Sequence, residues 1–177
     1  PNAHQIYVVE MTSDNGGAYV PRIYDIGNKT WSTGTSFVPQ FESNWSVFDI
    51  VYDIERDLLV LANWIFDNDE GLPGEYIYTY DIHSDQWQSV FHCNSGSEDG
   101  VSLIYNTNTN SVVIGKYYDR ELMLYEIDIE NQVCENLVTF DNPFNHGPGG
   151  SNNVNDEFLF DSNRSRYIYI YRETNDH

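Results

Sequence analysis

An all-β fold of repeated antiparallel units is predicted by an eight-residue phrase that occurs twice and a hairpin pattern that occurs three times. Residues 24–31 read YDIGNKTW and residues 80–87 read YDIHSDQW, so Tyr, Asp and Trp recur at one spacing. Asp25 and Asp81 lie 56 residues apart. Each copy has the residue types of a strand, a tight turn and a second strand. The chain is therefore predicted to consist of structural repeats.

The second pattern is an aromatic residue followed by Asp or Asn, a short polar turn and an aliphatic strand. It begins at Tyr52, Tyr105 and Phe160. The two patterns have similar periods and together describe one unit of four strands. A period near 50 residues built from short strands is typical of β-propeller blades. We therefore expect four-stranded antiparallel blades, about three to three and a half in number, that belong to a larger propeller.

The expected strands follow in the order three, four, four and two along a single partial propeller domain, residues 1–177. Residues 76–91 are expected to form a hairpin in the blade of residues 48–65, and Asp128 to begin a third, less regular copy of the phrase. The other expected strands are residues 5–11, 19–26 and 31–38, and the repeats cover approximately residues 1–40, 47–92, 100–140 and 154–177.

An open arc of blades would expose apolar faces and strand edges. Since the strand pattern starts and stops inside blades, the sequence favours a piece of a longer protein over a processed mature chain. We expect the rest of a longer chain, or else another copy of this one, to complete the propeller.

Gly16 and Gly17, followed by Tyr24 and Trp31, resemble the double-glycine, Tyr and Trp signature of kelch repeats. Such repeats build the propeller of galactose-oxidase-like proteins, so the resemblance implies a kelch-type propeller. It also invites comparison with a copper site of Tyr and His residues that includes a Tyr–Cys crosslink. That chemistry does not carry over, because no two histidines lie at ligand spacing; they are His4, His83, His92, His146 and His177.

The recurring residues are interpreted as structural. The Asp at the end of a strand is expected to accept hydrogen bonds from turn amides. The Trp is expected to pack one blade on the next. The set comprises Tyr24, Asp25, Trp31, Tyr80, Asp81, Trp87 and Asp128, and Cys134 takes the Trp position in the third copy.

The chain is strongly acidic, with 28 Asp and Glu against 8 Lys and Arg and a net charge of −20. This charge disfavours nucleic acid and anionic membrane surfaces as partners. The longest apolar runs are strand-sized, so no membrane insertion is expected. Two strands separate each long connection from the next, so these connections should emerge on one electronegative face. That face is expected to contain Asp14, Glu42, Asp67, Asp69, Glu70, Glu75, Glu98, Asp99, Asp119, Glu121, Asp141 and Asp156.

Two candidate sites lie on this face. Asp67, Asp69 and Glu70 place oxygen ligands ahead of a glycine, as in part of a calcium loop, which makes calcium the candidate cofactor. The alternative is a solvated acidic loop. The longest connection, residues 141–153, is of a length that is commonly functional. The expected ligand contacts are Asn145, His146, Glu98, Asp99, Asp119 and Arg120.

Two cysteines are too few for a disulfide framework. Cys93 and Cys134 are expected to be buried thiols in preference to a single disulfide bond. N-glycosylation sequons begin at Asn28, Asn44 and Asn163, in expected turns and loops.

The favoured function is a non-enzymatic binding or assembly module that presents the acidic loop face to a protein, glycan or cation. It is expected outside the cell or on its surface. One alternative is a fragment of a carbohydrate-active or galactose-oxidase-like propeller enzyme, although the sequence contains no Ser–His–acid set or phosphate loop of recognisable form. A cytosolic kelch adaptor is the other alternative, and glycans at the sequons would exclude it.

Overall fold

A computed structural model describes residues 5–12, 17–38, 47–65, 74–93, 101–118, 121–141 and 157–170. These residues form thirteen β-strands, and none of the described residues lies in a helix. The all-β prediction is therefore confirmed.

The strands form four antiparallel sheets in which strands consecutive in sequence are neighbours. The first sheet contains β1 (Gln5–Met11), β2 (Tyr19–Asp25) and β3 (Thr30–Thr33). The second sheet contains β4 (Val47–Asp53), β5 (Leu58–Ile65), β6 (Gly74–Asp81) and β7 (Gln86–Cys93). The third contains β8 (Val101–Asn106), β9 (Ser111–Tyr118), β10 (Glu121–Asp128) and β11 (Val133–Asp141), and the fourth β12 (Glu157–Asp161) and β13 (Arg166–Ile170). The described strands thus follow the order expected from the two interleaved repeats, and the two hairpins of the second sheet share that sheet as predicted.

Each sheet packs face to face on the next through a hydrophobic cluster. We call these contacts the first, second and third junctions, in chain order. The first is built around Tyr19, Leu59, Leu61, Tyr76 and Tyr78. The second contains Val60, Ala62, Ile77, Phe91, Val112 and Ile114, and the third Ile104, Val113, Leu122 and Leu124 with Phe160 and Tyr167. At the second and third junctions, the contacts between sheets concentrate along β4, β8 and β12, the first strands of their sheets.

The central strands of the second sheet show why this packing follows from the sequence. Leu59 and Leu61 on β5 face the first junction, whereas Val60 and Ala62 face the second. All four side chains are buried. A strand covered on both faces is apolar at successive positions rather than at alternate ones.

The tight turns share one local structure. Each has four residues, and its last residue is in the left-handed region, with φ between 50° and 58°. Those residues are Lys29, Asp57, Asp85, Asn110, Gln132 and Ser165. The residue before the turn is Asp or Asn, and in five turns its side chain accepts turn amides: Asp25, Asp53, Asp81, Asn106 and Asp128. The predicted role of Asp25, Asp81 and Asp128 is confirmed.

The expected strand 31–38 was too long, because β3 ends at Thr33. After it, Gly34 N–H donates to the Pro21 carbonyl at 2.9 Å, and Phe37 rejoins the first sheet through a single bridge to Tyr19. The interruption has a tertiary cause, since the backbone of Thr35 is hydrogen-bonded to the second sheet.

The prediction that both Trp residues pack between sheets is confirmed for Trp87 and wrong for Trp31. Trp87 is partly buried in the first junction. Trp31 is 61% exposed and stacks on Tyr24 of its own sheet, with ring centroids 5.0 Å apart. The difference arises because the face that carries Trp31 points away from the second sheet.

The expectation of two free thiols was also wrong. Cys93, at the end of β7, and Cys134, near the start of β11, form a disulfide bond with Cα atoms 5.5 Å apart. It crosses the second junction and links residues 41 positions apart in the sequence. The cause is the repeat itself, since Cys134 occupies the Trp position and meets the strand end of the preceding sheet.

Candidate functional site

The two ends of the sheets differ in the connections that they carry. Antiparallel neighbours place alternate connections at opposite ends. The tight turns therefore gather at one end, the tight-turn end, where Arg56 donates to the Asn110 carbonyl at 3.4 Å and Asn108 to Ser165 Oγ at 2.7 Å. At the opposite end, the long-connection end, the connections have seven or more residues, except for the two residues between β9 and β10. This alternation is the one expected from the sequence.

All of the candidate ligand residues lie outside the described residues. These are the possible calcium ligands Asp67, Asp69 and Glu70, and the expected ligand contacts Asn145, His146, Glu98, Asp99, Asp119 and Arg120. Within the described part of the chain, no group of three His, Cys, Asp or Glu side chains could hold a metal ion.

One member of the expected acidic face is placed differently. Glu75 is fully buried at the start of β6 and forms an ion pair with Lys116 of β9, which is also fully buried. The pair spans the second junction, so Glu75 does not contribute to an exposed acidic surface. Burial lowers the pKa of Lys116, and the Glu75 carboxylate opposes this effect. The exposed acids Glu121 and Asp141 do lie at strand ends of the long-connection end.

A polar cluster joins the two turns of the second sheet at the tight-turn end. The Asp57 carboxylate accepts a hydrogen bond from the Tyr52 hydroxyl and forms an ion pair with His83 Nε2. Burial, followed by the hydrogen bond to Asp57, raises the pKa of Tyr52. The cluster fixes the two turns relative to each other, and all three residues come from one sheet.

Two sequons lie at the tight-turn end. Asn28 and Asn163 are exposed residues of the β2–β3 and β12–β13 turns. The side chain of Asn28 donates to Asp25 Oδ2 at 3.2 Å. Asn44 lies outside the described residues.

At the first junction, side chains of the second sheet bind the backbone of Thr35. Asp85 accepts the Thr35 N–H at 2.6 Å and the Thr35 hydroxyl at 3.0 Å. Trp87 Nε1 donates to the Thr35 carbonyl at 2.8 Å. The turn and outer strand of the second sheet therefore bind both backbone polar groups of one residue in the segment that leaves the first sheet.

The same contact depends on a glycine next to Thr35. The Tyr80 hydroxyl donates to Asp85 and lies so close to Gly34 that a Cβ there would clash with it. The hydrogen bond from Tyr80, followed by that from the Thr35 amide, lowers the pKa of Asp85. Burial raises the pKa of Tyr80. The site thus requires a residue without a side chain at position 34.

Aromatic rings complete the first junction. Phe37 lies with its ring centroid 5.2 Å from that of Tyr78 and 5.5 Å from that of Trp87. Tyr19 also contacts Tyr78, at 6.3 Å between centroids. Phe37 therefore anchors the segment whose backbone is held at Thr35.

The face of the first sheet that points away from the second sheet carries the equivalent repeat residues. No described sheet packs on this face. Tyr24, Lys29 and Trp31 stand at the positions of Tyr80, Asp85 and Trp87 in the repeat. On β1, Ile6 and Val8 lie on this face, 49% and 44% exposed. We call Ile6, Val8, Tyr24, Lys29 and Trp31 the outer face of the first sheet.

Several of these residues were missed in the sequence. Gly34 and Thr35 stand inside an apparent strand, and their only signal is the glycine itself, which often marks a close backbone approach. Glu75 carries no local sign of burial, because its partner lies in the next repeat.

Within the described part of the chain, no helix is long and apolar enough to cross a membrane. Neither a protein-family model nor a curated protein matches this sequence. The kelch resemblance is therefore carried by the residues of this chain alone.

Proposed function

We propose that this protein is a non-enzymatic binding module, built as part of a kelch-type β-propeller, that presents the connections of the long-connection end to its ligand. The observation that carries the proposal is the inequality of the two ends. Short turns of one structure close the tight-turn end. Binding residues commonly lie on long loops held by a rigid scaffold.

The propeller arrangement is supported by the way in which the sheets follow one another. Every described sheet packs on the next through one face, and at the second and third junctions the closest approach runs along the first strands β4, β8 and β12. Sheets that converge along one edge are expected when blades surround an axis. A further sheet, from the rest of a longer chain or from another copy, would complete the ring.

The ligand class follows from charge. The residues of the long connections are rich in Asp and Glu, and the whole chain carries a net charge of −20. Such a surface favours a cation, a basic protein surface or a glycan that binds through hydroxyl groups. Asp67, Asp69 and Glu70 remain the proposed calcium ligands.

An extracellular or cell-surface location is supported by two features. The Cys93–Cys134 disulfide bond is of a kind that persists in oxidising compartments and is rare in the cytosol. The sequons at Asn28 and Asn163 are exposed at the tight-turn end, where glycans would leave the opposite end accessible.

Direct binding measurements would test the proposal. The probes are calcium, an oligolysine peptide and an array of immobilised glycans. The variant Glu98→Gln/Asp99→Asn removes two charges from a long connection, and Glu55→Gln/Glu130→Gln removes two exposed charges from the tight-turn end. We expect at least one probe to bind the native protein, and the first variant alone to weaken it. Absence of binding to every probe, or loss in the second variant alone, would contradict the proposal.

A further inference from the structure

We propose that the outer face of the first sheet binds the segment that follows the outer strand of a further antiparallel sheet, and that this segment carries an acidic residue opposite Lys29. The inference rests on the arrangement of sheets in the proposed function.

The first junction supplies the template for this contact. There, Trp87 donates to the Thr35 carbonyl, Asp85 accepts the Thr35 N–H, and the Phe37 ring packs on Trp87. Tyr80 excludes any side chain at Gly34. The bound segment therefore contains Gly34, then Thr35, whose N–H and carbonyl are both hydrogen-bonded, and two positions later the aromatic Phe37.

The outer face repeats this constellation one sheet earlier. Tyr24 pairs with Trp31 across β2 and β3, as Tyr80 pairs with Trp87 across β6 and β7. The rings lie at similar distances, 5.0 Å and 5.3 Å between centroids. Lys29 and Asp85 both end their turns with positive φ, at 58° and 54°. The two sites therefore have the same backbone frame.

The exposed fractions of its side chains show that no other described part of the chain covers the outer face. Trp31 is 61% exposed, Ile6 49% and Val8 44%. Three large apolar side chains on one sheet face are a typical feature of a protein interaction surface. The equivalent face of the second sheet is covered by the first sheet, which identifies the kind of partner that fits.

The replacement of Asp85 by Lys29 specifies the partner's charge. A carboxylate at this position accepts an N–H and a hydroxyl, whereas an ammonium group can only donate. Lys29 is exposed and has no ion pair among the described residues. The chain has only 8 Lys and Arg. One of these few cations lies at this site, where it would form an ion pair with an acidic group of the partner. The partner segment should therefore have Asp or Glu at the position of Thr35.

A peptide probe tests this prediction. The peptide TWSTGDSFV reproduces residues 30–38 with Thr35→Asp, and TWSTGTSFV is the unsubstituted control. Binding to the full ¹⁵N-labelled chain is followed through the Trp31 indole N–H signal, assigned with Trp31→Phe. We expect both peptides to shift this signal at millimolar concentration, with the acidic peptide binding about two- to fivefold tighter, as for an exposed ion pair.

Variants of the protein and the peptide provide the controls. Lys29→Glu should remove the preference for the acidic peptide, and a Phe37→Ser peptide should bind more weakly than its parent. An unshifted Trp31 signal, equal affinity of the acidic and unsubstituted peptides, or a shift at Trp87 in place of Trp31 would overturn the inference. Self-association of the chain that is lost in Trp31→Ala would overturn it as well, since the partner would then be a second copy. Failure here, with the long-connection ligand still bound, would leave the proposed function intact.

Discussion

Cys93 and Cys134 form a disulfide bond at the place in the second junction where the rings of Phe37 and Trp87 meet in the first. Cys93 follows Phe37 by 56 residues, the repeat distance between Asp25 and Asp81. Cys134 follows Trp87 by 47 residues, the distance from Asp81 to Asp128. A covalent bond thus replaces an aromatic contact at equivalent positions.

The disulfide should contribute strongly to stability, because it closes a loop between residues 41 positions apart. We expect Cys93→Ser/Cys134→Ser to lose about 2–4 kcal/mol of unfolding free energy. Urea unfolding of the variant and of the native protein, each with and without reductant, measures the loss. A native protein insensitive to reductant under unfolding conditions would contradict the bond.

The two repeat Trp residues should differ in their contribution to stability. Trp87 packs on Phe37 and donates to the Thr35 carbonyl, so Trp87→Ala is expected to cost about 3 kcal/mol. Trp31 is 61% exposed, and Trp31→Ala should cost less than about 1 kcal/mol. Denaturant melts of both variants compare the same substitution at equivalent positions. Equal losses would show that the outer face is covered in solution.

The glycine at position 34 should be required because of Tyr80. We expect Gly34→Ala to cost about 1–3 kcal/mol, since the added Cβ meets the Tyr80 hydroxyl. In a Tyr80→Phe background the same substitution should cost less, because the clashing oxygen is gone. A double-mutant cycle from chemical denaturation measures this coupling. Additive losses would mean that Gly34 is needed for another reason.

Acid should weaken the first junction through Asp85. Its pKa is lowered by the hydrogen bonds from Tyr80 and Thr35. A carboxyl group with a folded-state pKa below its unfolded value of about 3.9 stabilises the fold above that value and loses this effect as the pH falls. The difference in unfolding free energy between about pH 7 and about pH 3 should therefore shrink in Asp85→Asn. Glu135→Gln, at an exposed position of β11, is the control, and an unchanged difference in Asp85→Asn would refute the assignment.

The buried ion pair should be more sensitive to the loss of one partner than to the loss of both. Glu75 and Lys116 are each fully buried, so Lys116→Met leaves a buried carboxylate and should cost about 3–5 kcal/mol. The double variant Lys116→Met/Glu75→Leu should be more stable than the single one. Thermal and urea unfolding of the three proteins decide this, and a double variant less stable than Lys116→Met would contradict it.

The sequence by itself determined the order of the strands and the tight turns. These features depend on local chemistry, because an Asp or Asn that accepts turn amides and a left-handed residue four positions later define each turn within a few residues. Repetition of that pattern then sets the order of the sheets. The positions of Asp25, Asp81 and Asp128 could be predicted for this reason.

Only the tertiary structure decided which residues meet between repeats. The Cys93–Cys134 bond, the burial of Glu75 against Lys116 and the binding of Thr35 by Asp85 each join residues at least 41 positions apart. A periodic pattern shows that two positions are equivalent, but it does not show which of them is covered. Trp31 and Trp87 have the same local sequence, and they differ in exposure because only Trp87 faces a neighbouring sheet.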